Sequence, residues 1–413
     1  MFEEPPALHH FPEFGAPVLG LCGYSGSGKT TLIEAAIPHL IARGLSVAVV
    51  KHDSHGFSVD CAGKDSDRFF RAGATVALRG PAEQFQRRCL DASLSLEATL
   101  TDLARDHDLV LVEGHKDTNL PKLWLSNEQG ALPPDEVTWV LEILPWHCER
   151  LEIFLSFISS WLPRAWEVRP LYAGLLVGGK SSRMGRPKQM LEFRGRTLAE
   201  VAATALSRAL GGRSLETAES GAIRNPRLAI LGAGQVPGTL QEVPRLADPP
   251  ELAGPLAGLL AAHRWERRAA WILAACDHPW LSESDVKLLL ERRNPGTWTV
   301  MLRQPDGRPY PTFALFEPQS LEVLERAILL RRTDDVRIGQ LTGHPKTIIV
   351  PRATRGLFNV NTPAEFKLAI TLAKKKTHNA VKRAHDECSQ SLRLPAKEPE
   401  VKTARKEMSN DDL

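Results

Sequence analysis

The 413-residue chain holds only six cysteines, and no two stand close together. Cys22, Cys61, Cys89, Cys148, Cys276 and Cys388 are scattered, with no Cys-x-x-Cys pair among them. Disulfide frameworks belong to short secreted chains and zinc sites show closely spaced ligands, so these thiols read as reduced and mostly buried. An excess of one charge is also missing: 52 basic against 49 acidic residues leave a net +3. That balance gives no reason to expect nucleic acid or an anionic membrane as partner. Long apolar runs are lacking too. The most membrane-like stretch, Ile153–Leu162, is half of the roughly 20 residues that span a bilayer and reads as a buried helix. The opening MFEEPPALHHFPEF lacks the basic-then-apolar order of a secretory signal, and the expected location is cytoplasmic.

What is present fits two domains, each with its own core. Hydrophobic residues at 43% and charged residues at 24% are ordinary for a globular protein. Apolar runs alternate with helical segments. In the first half the strand candidates are Ala16–Cys22, Leu45–Val50, Leu109–Glu113 and Val137–Leu144, with helices at Thr30–Arg43 and Leu151–Leu162. In the second half they are Leu171–Val177, Arg227–Leu231, Trp271–Cys276, Thr297–Leu302 and Thr347–Val350. Helix candidates there are Thr197–Ala209, Pro255–His263, Ser282–Arg292 and Glu317–Leu330.

This α/β alternation predicts an extension over 1–15, a nucleotide-binding domain over 16–164 with a mainly parallel sheet, a linker over 165–170, and a Rossmann-like domain over 171–373. Charges crowd residues 374–413 and apolar residues are sparse, which predicts a disordered tail; interspersed acids disfavour a nucleic-acid-binding arm. Ligands of such sheets sit beyond the carboxyl ends of the strands.

Gly23-Tyr-Ser25-Gly26-Ser27-Gly28-Lys29-Thr30, followed by Thr31, fits the P-loop pattern. Glycines let successive amide N–H groups face a phosphate chain, and the following helix adds its positive end. Lys29 is expected to reach the terminal phosphates and the Thr30 hydroxyl to hold Mg²⁺. Asp53 and Glu113, at strand tips, are candidates for the same ion or its water shell, although a strand-tip carboxylate can also be a simple cap. His52, His55 and His115 read as polar surface.

Together with this loop, Lys51–Ala74 (KHDSHGFSVDCAGKDSDRFFRAGA) and Asp108–Lys116 (DLVLVEGHK) resemble the molybdopterin-guanine dinucleotide biosynthesis adapter family over roughly residues 18–164. The resemblance implies a P-loop NTPase domain, GTP binding, weak hydrolysis at most, a homodimer through this domain, and a helper role to a guanylyltransferase. It also implies molybdenum enzymes or their chaperones as partners. Gly63-Lys64-Asp65-Ser66 matches a further family segment.

A second loop, Gly178-Gly179-Lys-Ser-Ser-Arg183-Met-Gly-Arg-Pro-Lys188, follows the strand that ends in Leu176 and Val177. Its glycines admit a base and triphosphate closely, and Arg183 and Lys188 are placed to neutralise charge shifting onto a leaving pyrophosphate. Trp271–Pro279 delivers Asp277 at a strand end, where a carboxylate can bind Mg²⁺ or merely end the strand in a turn.

With Asp248 ahead of Gly254-Pro-Leu-Ala-Gly258, and with Asn359-Val-Asn361-Thr-Pro, the segment from about 171 to 372 resembles molybdenum cofactor guanylyltransferases. The resemblance implies transfer of GMP from GTP to molybdenum-molybdopterin with release of pyrophosphate. Leu176, Val177, Gly178, Gly179, Lys188, Asp248 and Asp277 would contact the nucleotide, and Asn359 and Asn361 the pterin side. Two departures stand out. The wording GRPKQ is shared with molybdopterin cytidylyltransferases, and an asparagine expected after the second strand is replaced by AILGAGQ, which leaves its task to backbone at Gly232. A cytidylyltransferase, a sugar-phosphate nucleotidyltransferase and a non-enzymatic GTP-dependent carrier remain the alternatives. Fusion raises the effective concentration of the helper beside the transferase.

Overall fold

The computed structural model describes residues 14–51, 59–89, 95–147, 149–178, 186–211, 225–304, 307–330, 336–351 and 358–374. The expected sites Asp53, Gly179 and Arg183 lie outside the described residues, as do His52, His55, Cys148, most of the expected extension and the charged tail beyond 374. Two compact units are distinguished, Met1–Asn359 and Val360–Leu413.

The first part of the larger unit runs β1 (Val18–Cys22), α1 (Lys29–Ala42), β2 (Val47–Lys51), α2 (Asp65–Arg71), β3 (Val76–Arg79), β4 (Gln84–Arg87), α3 (Leu96–Ala104), β5 (Leu109–Glu113), β6 (Lys122–Leu125), β7 (Val140–Leu144) and α4 (Arg150–Glu167). Five strands form a parallel sheet in the order β2-β5-β1-β6-β7. β1 and β5 are buried at every position. Their continuous apolar runs suit strands covered on both faces. β3 and β4 pair separately as an antiparallel hairpin. Leu32, Ile33, Ala36 and Leu40 of α1 share a core with Phe154, Ile158 and Trp161 of α4. That burial carries α4 through Pro163 to Glu167, so residues 165–167 of the expected linker are helical. Only residues 168–170 separate this helix from the next strand.

The second part runs β8 (Leu171–Leu176), β9 (Glu192–Phe193), β10 (Arg196–Thr197), α5 (Leu198–Ala209), β11 (Leu228–Leu231), β12 (Arg245–Leu246), α6 (Pro255–Trp265), β13 (Ala270–Ala275), α7 (Glu283–Leu290), β14 (Thr299–Arg303), β15 (Pro309–Phe316), α8 (Pro318–Leu330) and β16 (Thr347–Val350). Seven strands form one sheet in the order β12-β11-β8-β13-β15-β14-β16. All neighbours are parallel except β15, which runs antiparallel to β13 and β14. One core packs α5 and α7 against the sheet, and a second packs α6 and α8 against its other face. α5 opens on a capping box between Thr197 and Glu200, and α7 on one between Ser282 and Asp285.

β15 is not evident from the sequence because Pro309 and Pro311 interrupt it. The structure accommodates them where pairing is incomplete: β13 pairs only with Phe313–Phe316, and the β14 register shifts between Met301 and Arg303. The start of β15 therefore overruns the end of β13. Among the described residues, no helix is long and apolar enough to cross a membrane. In the smaller unit, residues 363–374 are helical, and the Glu365 carboxylate accepts from the N–H groups of Asn361 and Thr362.

Candidate functional site

Two places gather the expected residues, both at carboxyl ends of parallel strands. The first lies behind β1, where the strand order reverses. Gly23 is indispensable to the turn there: a Cβ on it would lie 2.5 Å from the Leu125 carbonyl oxygen and 2.6 Å from Ser27 Oγ. Ser27 is fully buried, whereas Ser25, Gly26, Thr30 and Thr31 are exposed along the loop and first helical turn, and Gly28 is half-buried beside them. The Lys29 ammonium donates to the carbonyls of Gly23 (3.0 Å) and Tyr24 (2.8 Å). Burial lowers its pKa, opposed by the Glu113 charge. The Thr30 hydroxyl donates to Glu113 Oε1 at 2.7 Å, and Lys51 Nζ stands 3.7 Å from the same oxygen.

Thr30 and Glu113 thus place two hard oxygens together beside the loop. No group of three or more His, Cys, Asp or Glu side chains among the described residues could hold a metal alone. A Mg²⁺ ion here would therefore draw its remaining ligands from phosphate and water, its usual habit.

Two residues behind this loop were missed by the sequence reading. The guanidinium of buried Arg150 donates to the carbonyls of Ser27 (2.7 Å), Ser126 (2.8 Å) and Pro145 (2.9 Å), tying the loop to the ends of two strands. Lys122, fully buried in β6, donates to the carbonyls of Lys116 (2.9 Å) and Thr118 (2.6 Å) and so shapes the turn after Glu113. Neither has a local motif. Gly63, in the segment matching the family, donates its N–H to Asp67, whose carboxyl is held well below the usual range by that bond and by Arg71 and Arg87.

The second place is a cleft of about 890 Å³. Its wall includes Leu176, Val177 and Gly178 after β8, Gly232 and Gly234 after β11, and Asp248. Gly232, at φ +97°, approaches so closely that a Cβ would lie 2.6 Å from the Val177 carbonyl oxygen. Its N–H is directed to the Leu246 carbonyl at 3.3 Å, and its carbonyl accepts from Arg245 at 2.9 Å. Backbone at Gly232, expected to replace the missing asparagine, is thus engaged in its own loop and contributes shape. Burial raises the Asp248 pKa.

Lys188 and Asp277 are not on the wall of this cleft; they stand beside it. β13 pairs in register with β8 up to Ala275 and Leu176, so Asp277 and Gly178 are each two residues past the last pair. Asp277 Oδ1 is buried without a hydrogen bond and lies 3.4 Å from His278 Nε2; the side chain is 17% exposed. Lys188 opens a short 3₁₀ turn at Lys188–Met190. Both charges act on the neighbouring Cys276 thiol, which burial, reinforced by Asp277, pushes up to about 12. Asp277 thus belongs to a mixed polar group at the strand end, and a carboxylate oxygen without a hydrogen bond fits a cation.

The overrun of β15 adds Tyr310, which the sequence reading also missed. Its hydroxyl interacts electrostatically with the Thr312 and Asn359 side chains, and its ring stands edge-on to His278 at 5.0 Å. Burial raises its pKa, and the Asp277 charge adds to the rise. Asn359 is thereby brought to the Asp277 end of the sheet. Asn361 falls in the smaller unit, where its N–H caps the helix over 363–374.

A phosphate-binding loop behind one parallel sheet and a glycine-bordered cleft with a strand-end carboxylate on another define a P-loop nucleotide-binding domain joined to a nucleotidyltransferase domain. Residues 18–138 match the family of molybdopterin guanine dinucleotide synthesis protein B, and residues 173–341 match the MobA-like NTP transferase domain. The Haemophilus influenzae molybdopterin-guanine dinucleotide biosynthesis adapter protein is 36% identical over 162 residues, covering 35% of this chain and 89% of that protein. The chain belongs to that adapter family and carries a MobA-like nucleotidyltransferase domain behind the adapter part. A Bacillus subtilis probable molybdenum cofactor guanylyltransferase is 28% identical over 197 residues, 46% of this chain and 90% of the relative. A Synechocystis molybdenum cofactor biosynthesis bifunctional protein is 26% identical over 199 residues, 48% of this chain and 53% of the relative.

Proposed function

We propose that the transferase part joins GMP from GTP to molybdenum-molybdopterin and that the part ending at α4 assists it as a GTP-binding helper in the cytoplasm. The observation that carries this reading is the convergence of Gly178, Gly232 and Asp277 on one end of a sheet, with Tyr310 linking Asn359 to the same end. The terminal phosphate of molybdopterin attacks the α-phosphorus of GTP; the new phosphoanhydride forms as the bond to pyrophosphate breaks. The nucleophile is already an anion, so no strong base is required, and positioning with charge neutralisation supplies the catalysis.

In this reading Gly178 and Gly232 admit the nucleotide, Asp248 orients it, Lys188 and Arg183 neutralise the departing pyrophosphate, and Asn359 meets the pterin side. Asp277 would hold Mg²⁺, as Thr30, Glu113 and Asp53 would at the P-loop; the ion, when bound, neutralises phosphate charge. Molybdenum enzymes or their chaperones would receive the product, and the helper part would form a homodimer. A pyrophosphate-release assay with purified protein, molybdenum-loaded molybdopterin and GTP, CTP or ATP in turn tests the proposal. Release with GTP alone is expected. Release with CTP alone would reassign the base, and no release with any nucleotide would leave only the carrier reading.

A further inference from the structure

Both ligand-binding ends have an opposite edge, and the two opposite edges meet. On the adapter side the contacts come from residues just before the parallel strands or at the end of α3: Gly15, Ser46, Ala104, His107 and Asp108. On the transferase side they come from Arg169 before β8, Trp298 before β14 and Lys346 before β16. Glu317 and Gln319, after the antiparallel β15, join them at the same edge.

The contacts are polar, buried and specific. Asp108, fully buried, accepts from the Ser46 N–H (2.7 Å), the Ser46 hydroxyl (2.8 Å) and Trp298 Nε1 (2.6 Å), and pairs with Lys346. The Gln319 amide donates to the carbonyls of Gly15 (3.1 Å), Ala104 (3.1 Å) and His107 (3.2 Å). Arg169 donates to the Gly15 carbonyl while paired with fully buried Glu317, which also holds Arg293 at 2.6 Å. Arg169 and Arg293 hold Glu317 within the transferase part, while the Asp108–Lys346 pair and the hydrogen bonds from Trp298, Gln319 and Arg169 cross between the parts and join the two sheets rear to rear.

The P-loop and Glu113 lie past the carboxyl ends of β1 and β5; Gly178, Gly232 and Asp277 lie past those of β8, β11 and β13. The two ligand-binding ends therefore face away from each other. Strands of five and six residues separate each end from the shared edge, so the two ends stand roughly 35 Å apart at ~3.3 Å per residue. No single nucleotide reaches both.

Resting on the functional reading above, we infer that the chain binds two nucleotides independently and that its P-loop part assists the transferase cleft of a second copy of the chain rather than its own. Fusion in this geometry supplies equal numbers of the two parts without a shared pocket, and the outward-facing ends leave each free to meet its counterpart on another molecule.

The test mixes two full-length variants. Lys29→Ala impairs the P-loop, and Asp277→Asn removes transfer while leaving the P-loop intact. Calorimetry with a non-hydrolysable GTP analogue should give two sites per wild-type chain and one for Lys29→Ala, which also establishes that the variant is folded; a single wild-type site would overturn the independence of the pockets. Lys29→Ala alone should transfer GMP several-fold more slowly than wild type. Adding excess Asp277→Asn should restore its rate, and wild-type specific activity should fall on dilution. A deficit that persists in the mixture, or a specific activity indifferent to dilution, would show assistance within one chain and overturn the inference. If Lys29→Ala shows no deficit, the helper reading fails and this inference falls with it, while pyrophosphate release would still stand as the separate test of transfer.

Discussion

The two ends of the molecule are built on opposite plans. The P-loop end is one short segment, Gly23–Thr30, whose lysine is held by carbonyls of its own turn and whose principal outside partners are Glu113 and Arg150. The transferase end has no such segment. It exists only where β8, β11, β13 and the overrun of β15 finish side by side, bringing together residues from Leu176 to Asn359. A site folded from one loop depends on what stands behind that loop; a site assembled from strand ends depends on the register of the sheet.

Removing the strand-end carboxylate tests the second plan most severely. Asp277→Ala is expected to lower transfer by about a thousand-fold, the scale set by losing one preorganised charge-stabilising group. The P-loop should still bind GTP, since Asp277 lies on the far end of the molecule. Single-turnover transfer and nucleotide binding, measured on the same preparation, check both halves; near-normal turnover would remove Asp277 from the site.

The first plan is tested from behind. Arg150→Met removes a buried guanidinium and strands the carbonyls of Ser27, Ser126 and Pro145. Unsatisfied buried acceptors cost about 1–3 kcal/mol each, so a loss of roughly 2–4 kcal/mol in denaturant unfolding is expected after relaxation. P-loop affinity for GTP should fall about tenfold, while the transferase cleft keeps its affinity. Equal losses at both pockets would contradict their separation.

This contrast also explains what could be read from the chain. The P-loop, Glu113 and the strands β1, β5 and β8 were legible because glycine spacing and unbroken apolar runs are local signals. Gly178 and Asp277 were legible through the strands that carry them. Tyr310 was not, because Pro309 and Pro311 argue against a strand and only the mismatch between β13 and β15 makes room for them. Arg150 and Lys122 look like ordinary surface cations in sequence; their partners are carbonyls, which leave no mark on side-chain identity. Residues 165–167 of the expected linker are helical for a related reason: the burial of Trp161, Leu162 and Trp166 carries α4 past Pro163, and tertiary burial leaves no local mark.

Tyr310→Phe sharpens the same point at lower amplitude. It keeps the ring against His278 but deletes the hydroxyl that interacts with Asn359. A neutral hydrogen bond, about 0.5–1.5 kcal/mol, sets the upper scale for this interaction, so transfer should slow by up to roughly tenfold. If Tyr310 positions Asn359 for the pterin, the change should appear in KM for molybdopterin and leave KM for GTP alone. An effect on both would indicate a general loosening of the strand end.

The smallest expected effect concerns the edge that holds the two ends apart. Glu317 is fully buried; burial alone would raise its pKa, but Arg169 and Arg293 outweigh it and hold it below the usual value. A carboxylate depressed in the folded state contributes stability that is complete above its unfolded pKa of about 4.3 and is lost as pH falls through the folded value. Between pH 7 and pH 5 the contribution of Glu317 is therefore flat, within a few tenths of a kcal/mol by the same linkage. Below pH 4 it declines, and Glu317→Gln, already lacking the charge, should decline less steeply than wild type. Unfolding of both proteins at pH 7, 5 and 3.5 makes the comparison. Parallel pH profiles would mean that the charge of Glu317 does not hold the rear edges together, and the back-to-back arrangement would then have to rest on Asp108 and Gln319.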